Sequence, residues 1–278
     1  MNQKELTVKK GQVELNVLHS EPEPCCGNTA FDTDVDQSSS IRDAVQDFYA
    51  QRALNSDSCC GEGAEPQFYE ADLLENMPDD VAGFSLGCGD PITLANLQPG
   101  EVVLDLGSGG GLDCFLSSKQ VGEDGYVIGI DMTPEMLERA RKAADKMGIH
   151  NVEFRKGLLE DMPVDDDSVD VIISNCVINL SPDKSQVFAE MLRTLKPGGR
   201  VSVSDIVTSG ELPEALRQDM QAWGACVSGA LDMDDYTAAL EGVGFADVNL
   251  VAKAGDGELL EGIPQGNIFS ASITARKP

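Results

Sequence analysis

Cys176 lies in the run Ser174-Asn175-Cys176-Val177-Ile178-Asn179-Leu180, downstream of the glycine-rich segment Asp105-Leu106-Gly107-Ser108-Gly109-Gly110-Gly111. A soft thiol there stands where a group carried in the glycine segment would be delivered. Cys59 and Cys60 precede it in the chain and Cys226 follows it. A small sulfur cage around a thiophilic atom is conceivable if the fold makes them converge.

The segment from Asp105 to Gly111 reads as the end of a strand and the opening of a helix. Its glycines let a ligand approach the backbone without interference from a Cβ. Asp131 ends the next predicted strand about 20 residues later, where a carboxylate can accept hydrogen bonds from both ribose hydroxyls of an adenosine. The order Asp-x-Gly-x-Gly-x-Gly, rather than Gly-x-Gly-x-x-Gly, favours S-adenosylmethionine over a dinucleotide. Acidic Asp105 also suits a cationic cofactor. The candidate cofactor residues are Asp105, Gly107, Ser108, Gly109, Gly111, Asp131 and Met132. Leu159, Glu160 and Asn175 join them at later strand ends, the edge where such sheets bind ligands.

These residues need a framework that lines up strand ends. Residues 101–206 alternate strand and helix signals as a doubly wound parallel sheet requires. Residues 102–105, 126–130, 169–174 and 201–207 read as buried strands, and 134–147 as a helix with Pro134 in its first turn. The helix at 187–194 stops at Leu195-Lys196-Pro197-Gly198-Gly199, whose glycines supply positive φ angles. A helix at 40–55 follows serines able to cap it, and Cys59-Cys60 follows in a loop. Helices at 211–223 and 235–243 and strands at 248–252 and 268–275 complete the chain. Residues 1–36 form an irregular arm with one short strand at 12–18. The fold class is α/β, a doubly wound Rossmann-like sheet. It is divided into an N-terminal cysteine-bearing arm and helix (1–66), a cofactor-binding domain (67–208) and a smaller C-terminal α+β substrate-binding region (209–278).

Composition narrows the partners. The 278 residues carry 48 acidic and 20 basic side chains, a formal charge of −28, which repels nucleic acid and anionic lipid. Such acidity is a solubility device in a salt-rich cytoplasm. No stretch approaches the length of an apolar membrane span, and the start lacks a secretory core, so a cytoplasmic monomer is expected. Eight cysteines in a reducing compartment do not imply a disulfide framework. Cys88, in a Gly-rich turn, and Cys114, in a helix, read as small buried structural thiols. No Cys-x-x-Cys pair supports structural zinc. The only two histidines, His19 and His150, lie outside the motifs and read as surface residues.

Together, the glycine segment, Gly129-Ile130-Asp131-Met132-Thr133, the block from Ser174 to Leu180 followed by Pro182-Asp183-Lys184, and Trp223-Gly224-Ala225-Cys226 resemble the arsenite S-adenosylmethionine methyltransferases. The resemblance runs from about residue 44 to the C-terminus. It implies that one N-terminal cysteine joins two later ones to hold As(III), here Cys60 or its neighbour Cys59, with Cys176 and Cys226. Soft thiolates favour a soft centre, and three around As(III) leave its lone pair outward as the nucleophile. No proton leaves the attacking atom, so positioning carries the catalysis and no general base or dedicated metal cofactor is needed. The resemblance further implies arsenite or its thiol complexes as substrate, mono- and dimethylated products, and detoxification. Methylation oxidises arsenic, so electrons must return from small thiols or thioredoxin, with Cys25-Cys26 a candidate relay. Two other functions stay open: methylation of a small organic acceptor, and metalloid binding without turnover.

Overall fold

The computed structural model describes residues 37–54, 69, 74, 77–78, 81, 87–210, 212, 226–252 and 268–278, which lie within one compact unit, Asp36–Pro278. The arm at 1–36 with its strand, the helix expected at 211–223 apart from Leu212, and Cys25, Cys26, Cys59 and Cys60 lie outside the described residues.

Five strands, β1 (Val102–Leu106), β2 (Tyr126–Asp131), β3 (Val152–Lys156), β4 (Val169–Asn175) and β5 (Leu195–Thr208), run parallel in the order β3-β2-β1-β4-β5. A short β6 (Leu231–Asp232) pairs with the end of β5. Antiparallel strands β7 (Ala246–Ala252) and β8 (Ile268–Arg276) extend the sheet beyond β5 in the order β5-β8-β7. Strands from the expected C-terminal region thus continue the cofactor-binding sheet. The physical reason is that β5 would otherwise present an unpaired row of backbone groups, which β8 covers from Arg200 to Thr208.

Strand periodicity divides the core between the two faces of the sheet. Leu104, Leu106, Ile128, Ile130 and Ile172 pack with Phe188 and Tyr236 on one face. Val103, Val127, Val171 and Ile173 pack with Phe115 and Leu137 on the other. Because both faces are covered, the central strands are apolar throughout.

The helices are α1 (Gln37–Leu54), α2 (Pro91–Ala95), α3 (Leu112–Val121), α4 (Pro134–Met147), α5 (Lys184–Thr194) and α6 (Met233–Val243). In α4, Pro134 occupies the first turn and Gly148, at φ 67°, closes the last by donating to the carbonyls of Ala144 and Asp145. α1 begins earlier than expected, so serines 38–40 fall inside its first turn rather than before it. At the 195–199 turn only Gly198 has a positive φ, 81°. Leu195 already pairs with Val169, so the turn is drawn into the sheet. Short α2, not anticipated, starts where Asp90 Oδ1 accepts from the N–H groups of Ile92 at 3.0 Å and Thr93 at 2.9 Å.

This topology creates the site. β2 and β3 lie to one side of β1, and β4 and β5 to the other. Connections leaving the carboxyl ends of β1 and β4 therefore diverge and open a crevice between them. Leu106 pairs with Ser174, so the glycine loop and Cys176 emerge side by side.

Candidate active site

The crevice encloses about 1110 Å³ of empty space, its mouth included. Asp105, next to the last residue of β1, lies in its wall, and Gly107, Ser108 and Gly109 follow in the loop. Gly107 is required twice over. Its φ is 66°, and a Cβ there would fall 2.3 Å from Val177 Cγ2. Asp131, ending β2, accepts from the Gly109 N–H through Oδ2 at 3.0 Å and from the Thr133 N–H through Oδ1 at 2.8 Å. These bonds fix the carboxylate at the rim beside Met132. Leu159 and Glu160, in the loop after β3, and Asn175, at the end of β4, complete the expected lining. Gly111 does not face the crevice; at φ 91° it precedes α3, and a Cβ there would meet Phe115 and Phe154 at 2.8–2.9 Å. Its role is packing.

Asp113, not anticipated from sequence, also lines the crevice. Burial first, and then Asp113 as a like charge, hold Asp105 well above the usual carboxylate range. Burial pushes Asp113 up to about 6 and raises Asp131. Buried carboxylates acquire such values when no cation faces them. The three therefore form an acidic wall suited to a sulfonium and an ammonium group, and the Ser108 hydroxyl is buried beside it without a hydrogen-bond partner. These residues fit S-adenosylmethionine.

Beside the crevice three cysteines come together. Cys88, Cys176 and Cys226 share one buried cluster with Val45, Leu180 and Ile206. Cys88 and Cys176 are joined in a disulfide with S–S 2.08 Å and Cα–Cα 6.0 Å. Cys226 is a free thiol that donates to the backbone carbonyl of Cys176 at 2.7 Å. Cys176 also lines the crevice, so the sulfur cluster and the cofactor wall share a boundary. Cys176 (φ 58°) and Cys226 (φ 61°) both adopt left-handed backbone, a conformation costly for a side chain with a Cβ and concentrated at functional sites.

Two asparagines of the Cys176 block hold this arrangement. Asn175 Oδ1 accepts from the Cys88 N–H at 2.9 Å. Asn179 Nδ2 bonds Asp205 Oδ1 at 2.9 Å and the carbonyl oxygens of Ile206 at 2.6 Å and Cys226 at 3.3 Å. From α1, Tyr49 hydrogen-bonds the Cys226 thiol. Burial pushes that thiol well up, reinforced by the Asp205 charge and opposed by Tyr49 and Lys184.

Cys88, expected as a small buried structural thiol, is buried and stands within the sulfur cluster, bonded to Cys176. Its sequence signal was weak: Gly87-Cys88-Gly89-Asp90-Pro91 combines a tight loop with a helix start, which rigidly places the thiol. Cys59 and Cys60 lie outside the described residues. Cys114 is buried, as expected, and its thiol donates to Asp105 Oδ2 at 3.2 Å. His150 is exposed after α4. Among the described residues no group of three or more His, Cys, Asp and Glu is arranged to hold a metal ion, in keeping with two of the three sulfurs being bonded to each other.

Residues 97–244 match the family model described as a methyltransferase domain. The chain is 41% identical to an arsenite methyltransferase from Halobacterium salinarum over 85% of its own length and 66% of the relative's. It is 38% identical to one from Aquipseudomonas alcaligenes, over 84% of its length and 71% of the relative's. The chain thus spans about two thirds of the length of these curated relatives. The crystal structure of an arsenic(III) S-adenosylmethionine methyltransferase from Chlamydomonas reinhardtii superposes with a TM-score of 0.59 at 35% identity, covering 74% of this chain and 72% of that one. The doubly wound sheet, the acidic crevice at its switch point and these likenesses over most of the sequence agree: the chain belongs to the arsenite methyltransferase family.

Proposed function

We propose that this protein transfers methyl groups from S-adenosylmethionine to trivalent arsenic held by Cys88, Cys176 and Cys226, giving mono- and dimethylated arsenicals. The observation that carries the proposal is the convergence of these three cysteines in one buried cluster that meets, through Cys176, a crevice lined by Asp105, Asp113 and Asp131. Cys88 takes the place given to Cys60 on sequence grounds.

When bound, the cofactor supplies an electrophilic methyl group on a positive sulfur. The chain's own residues do the rest. Asp131 receives the ribose hydroxyls, and the acidic wall favours the cationic end of the cofactor. The three reduced cysteines exchange onto arsenite, each thiol proton leaving with a displaced hydroxide as water. Ile206, Leu180 and Val45 exclude solvent from the sulfurs, and the arsenic lone pair is left facing the crevice. Positioning is the catalytic device.

Each transfer places two more positive charges on the formal oxidation state of arsenic. Two thiolates that join as a disulfide release the two electrons that restore the trivalent state. The Cys88–Cys176 bond is the form expected of a pair that has given up those electrons. Turnover then requires a reductant, a small dithiol or thioredoxin, and the outcome is arsenic detoxification.

The test is incubation of reduced protein with arsenite, S-adenosylmethionine and a thiol, followed by chromatographic speciation of arsenic. Monomethyl and then dimethyl products are expected. No methylated arsenic under reducing conditions would end the proposal.

A further inference from the structure

Asn175, the last residue of β4, stands between the two halves of the site, and its side chain is saturated. Besides accepting from the Cys88 N–H at 2.9 Å through Oδ1, it offers Nδ2 to three acceptors. These are the Gly89 carbonyl at 2.9 Å, the Tyr69 hydroxyl oxygen at 2.9 Å and Asp113 Oδ2 at 3.4 Å. The Tyr69 hydroxyl in turn donates to Asp113 Oδ1 at 2.5 Å. Asp113 lines the crevice, and Cys88 lies in the sulfur cluster. One amide therefore touches a cofactor-facing carboxylate on one side and the backbone of a cage cysteine on the other.

The Cys88 loop has few alternatives to this amide. A Cβ on Gly87 would fall 2.2 Å from Asn175 Nδ2, so the loop passes directly against the side chain. Its only other side-chain hydrogen bond among the described residues is from the Ser270 hydroxyl to the Cys88 carbonyl at 2.8 Å. Tyr69 and its bond to Asp113 are buried and the Asn175 bonds are part-buried, so the connection runs through a low-dielectric network whose members polarise one another.

We infer that Asn175 is a positioning residue that couples occupancy of the cofactor crevice to the placement of Cys88, so that cofactor and arsenite bind with positive cooperativity. The inference rests on the proposed function. A cation in the crevice restrains the Asp113 carboxylate. The carboxylate orients the Tyr69 hydroxyl and the Asn175 N–H, and the fixed amide plane presents Oδ1 to the Cys88 N–H. With the crevice empty, the amide and the loop lose that restraint. By linkage, arsenite raises cofactor affinity by the same factor.

The experiment titrates reduced protein with arsenite by calorimetry, with and without saturating sinefungin, a cofactor analogue that keeps a cationic centre and has no methyl group to transfer. In the wild type, arsenite affinity is expected to rise at least about fivefold with the analogue. Tyr69→Phe, which removes one hydroxyl, is expected to hold arsenite alone within about twofold of wild type and to lose most of that rise. Asn175→Asp keeps the acceptor for Cys88 and removes both donors, and it should lose the rise as well. Wild-type protein that binds both ligands without coupling, or variants that keep the full coupling, would overturn the inference alone. Wild-type protein that binds sinefungin and no arsenite would overturn the functional reading too.

Discussion

The Cys226 thiol donates to the backbone carbonyl of Cys176 at 2.7 Å, across 50 residues of sequence. Both residues adopt left-handed backbone, which costs roughly 1 kcal/mol or more at each. The Cys176 N–H is held by the Ser204 carbonyl at 2.8 Å, and the Cys226 carbonyl by Asn179. A strained conformation fixed from both sides aims a side chain. Here the two side chains belong to the buried sulfur cluster that borders the crevice at Cys176.

Replacing any one of Cys88, Cys176 and Cys226 by serine should lower arsenic methylation by at least about a hundredfold, because a misplaced reacting centre loses that much. Cofactor affinity should stay near wild type. Arsenic speciation and a cofactor titration on each variant check both halves. Full activity of Cys88→Ser would return the third position to Cys59 or Cys60.

Protein carrying the Cys88–Cys176 disulfide should bind no arsenite, since two of its three soft ligands are consumed. Treatment with a dithiol should restore binding of one arsenic per chain. Equilibrium dialysis with elemental analysis, before and after reduction, reads the difference; equal binding in both states would contradict the assignment.

Asp131→Ala should weaken cofactor binding by about 10- to 100-fold, the worth of a hydrogen-bonded charge. It should leave arsenite binding unchanged, because Asp131 is tied to Gly109 and Thr133 and not to the sulfurs. Paired calorimetric titrations test this.

Burial pushes Asp205 up to about 7, opposed by the Ile206 N–H, Lys184 and Asn179. Its Oδ2 is buried without a hydrogen-bond partner. A carboxyl whose folded pKa is raised contributes stability that is complete below its unfolded value near 4 and is lost as pH rises to about 7. Asp205→Asn should remove up to about 4 kcal/mol of that fall, giving a flatter profile of stability between pH 4 and 7. Urea unfolding across the range measures it, and an unchanged slope would refute it.

The charge of −28 opposes a compact state at low ionic strength. Raising potassium chloride from about 0.1 to 1 M shortens the screening length from about 10 to 3 Å, so Tm should climb through that range. A Tm that falls or stays level would show that self-repulsion is not a significant term.

Much of the fold was legible because its signals are local. Apolar runs such as 102–105 and 126–130 have to be strands covered on both faces, and Pro134 and Gly148 bracket their helix. β3 was not read, since the alternation of Val152 and Phe154 is too short to stand out from a loop. α2 was missed for a similar reason: its five residues are stabilised by Asp90 and by tertiary packing. Much of the crevice lining was readable because a glycine loop followed by an acidic strand end is a contiguous pattern. Gly111 fits that pattern and yet packs against Phe115 and Phe154, a role that depends on neighbours from α3 and β3.

Sequence alone determined that the chain forms a doubly wound sheet, that Asp105 and Asp131 lie at the carboxyl ends of two of its strands, and that Cys176 follows a strand at the same edge. All three are fixed by periodicity and turn chemistry within short stretches. Tertiary structure decided which sulfurs come together in one buried cluster. Cys88 reaches Cys176 only because β4 lies beside β1 and the 87–89 loop is fastened to Asn175 and Ser270. Those contacts join residues 87 and 182 positions apart, and no local propensity encodes them.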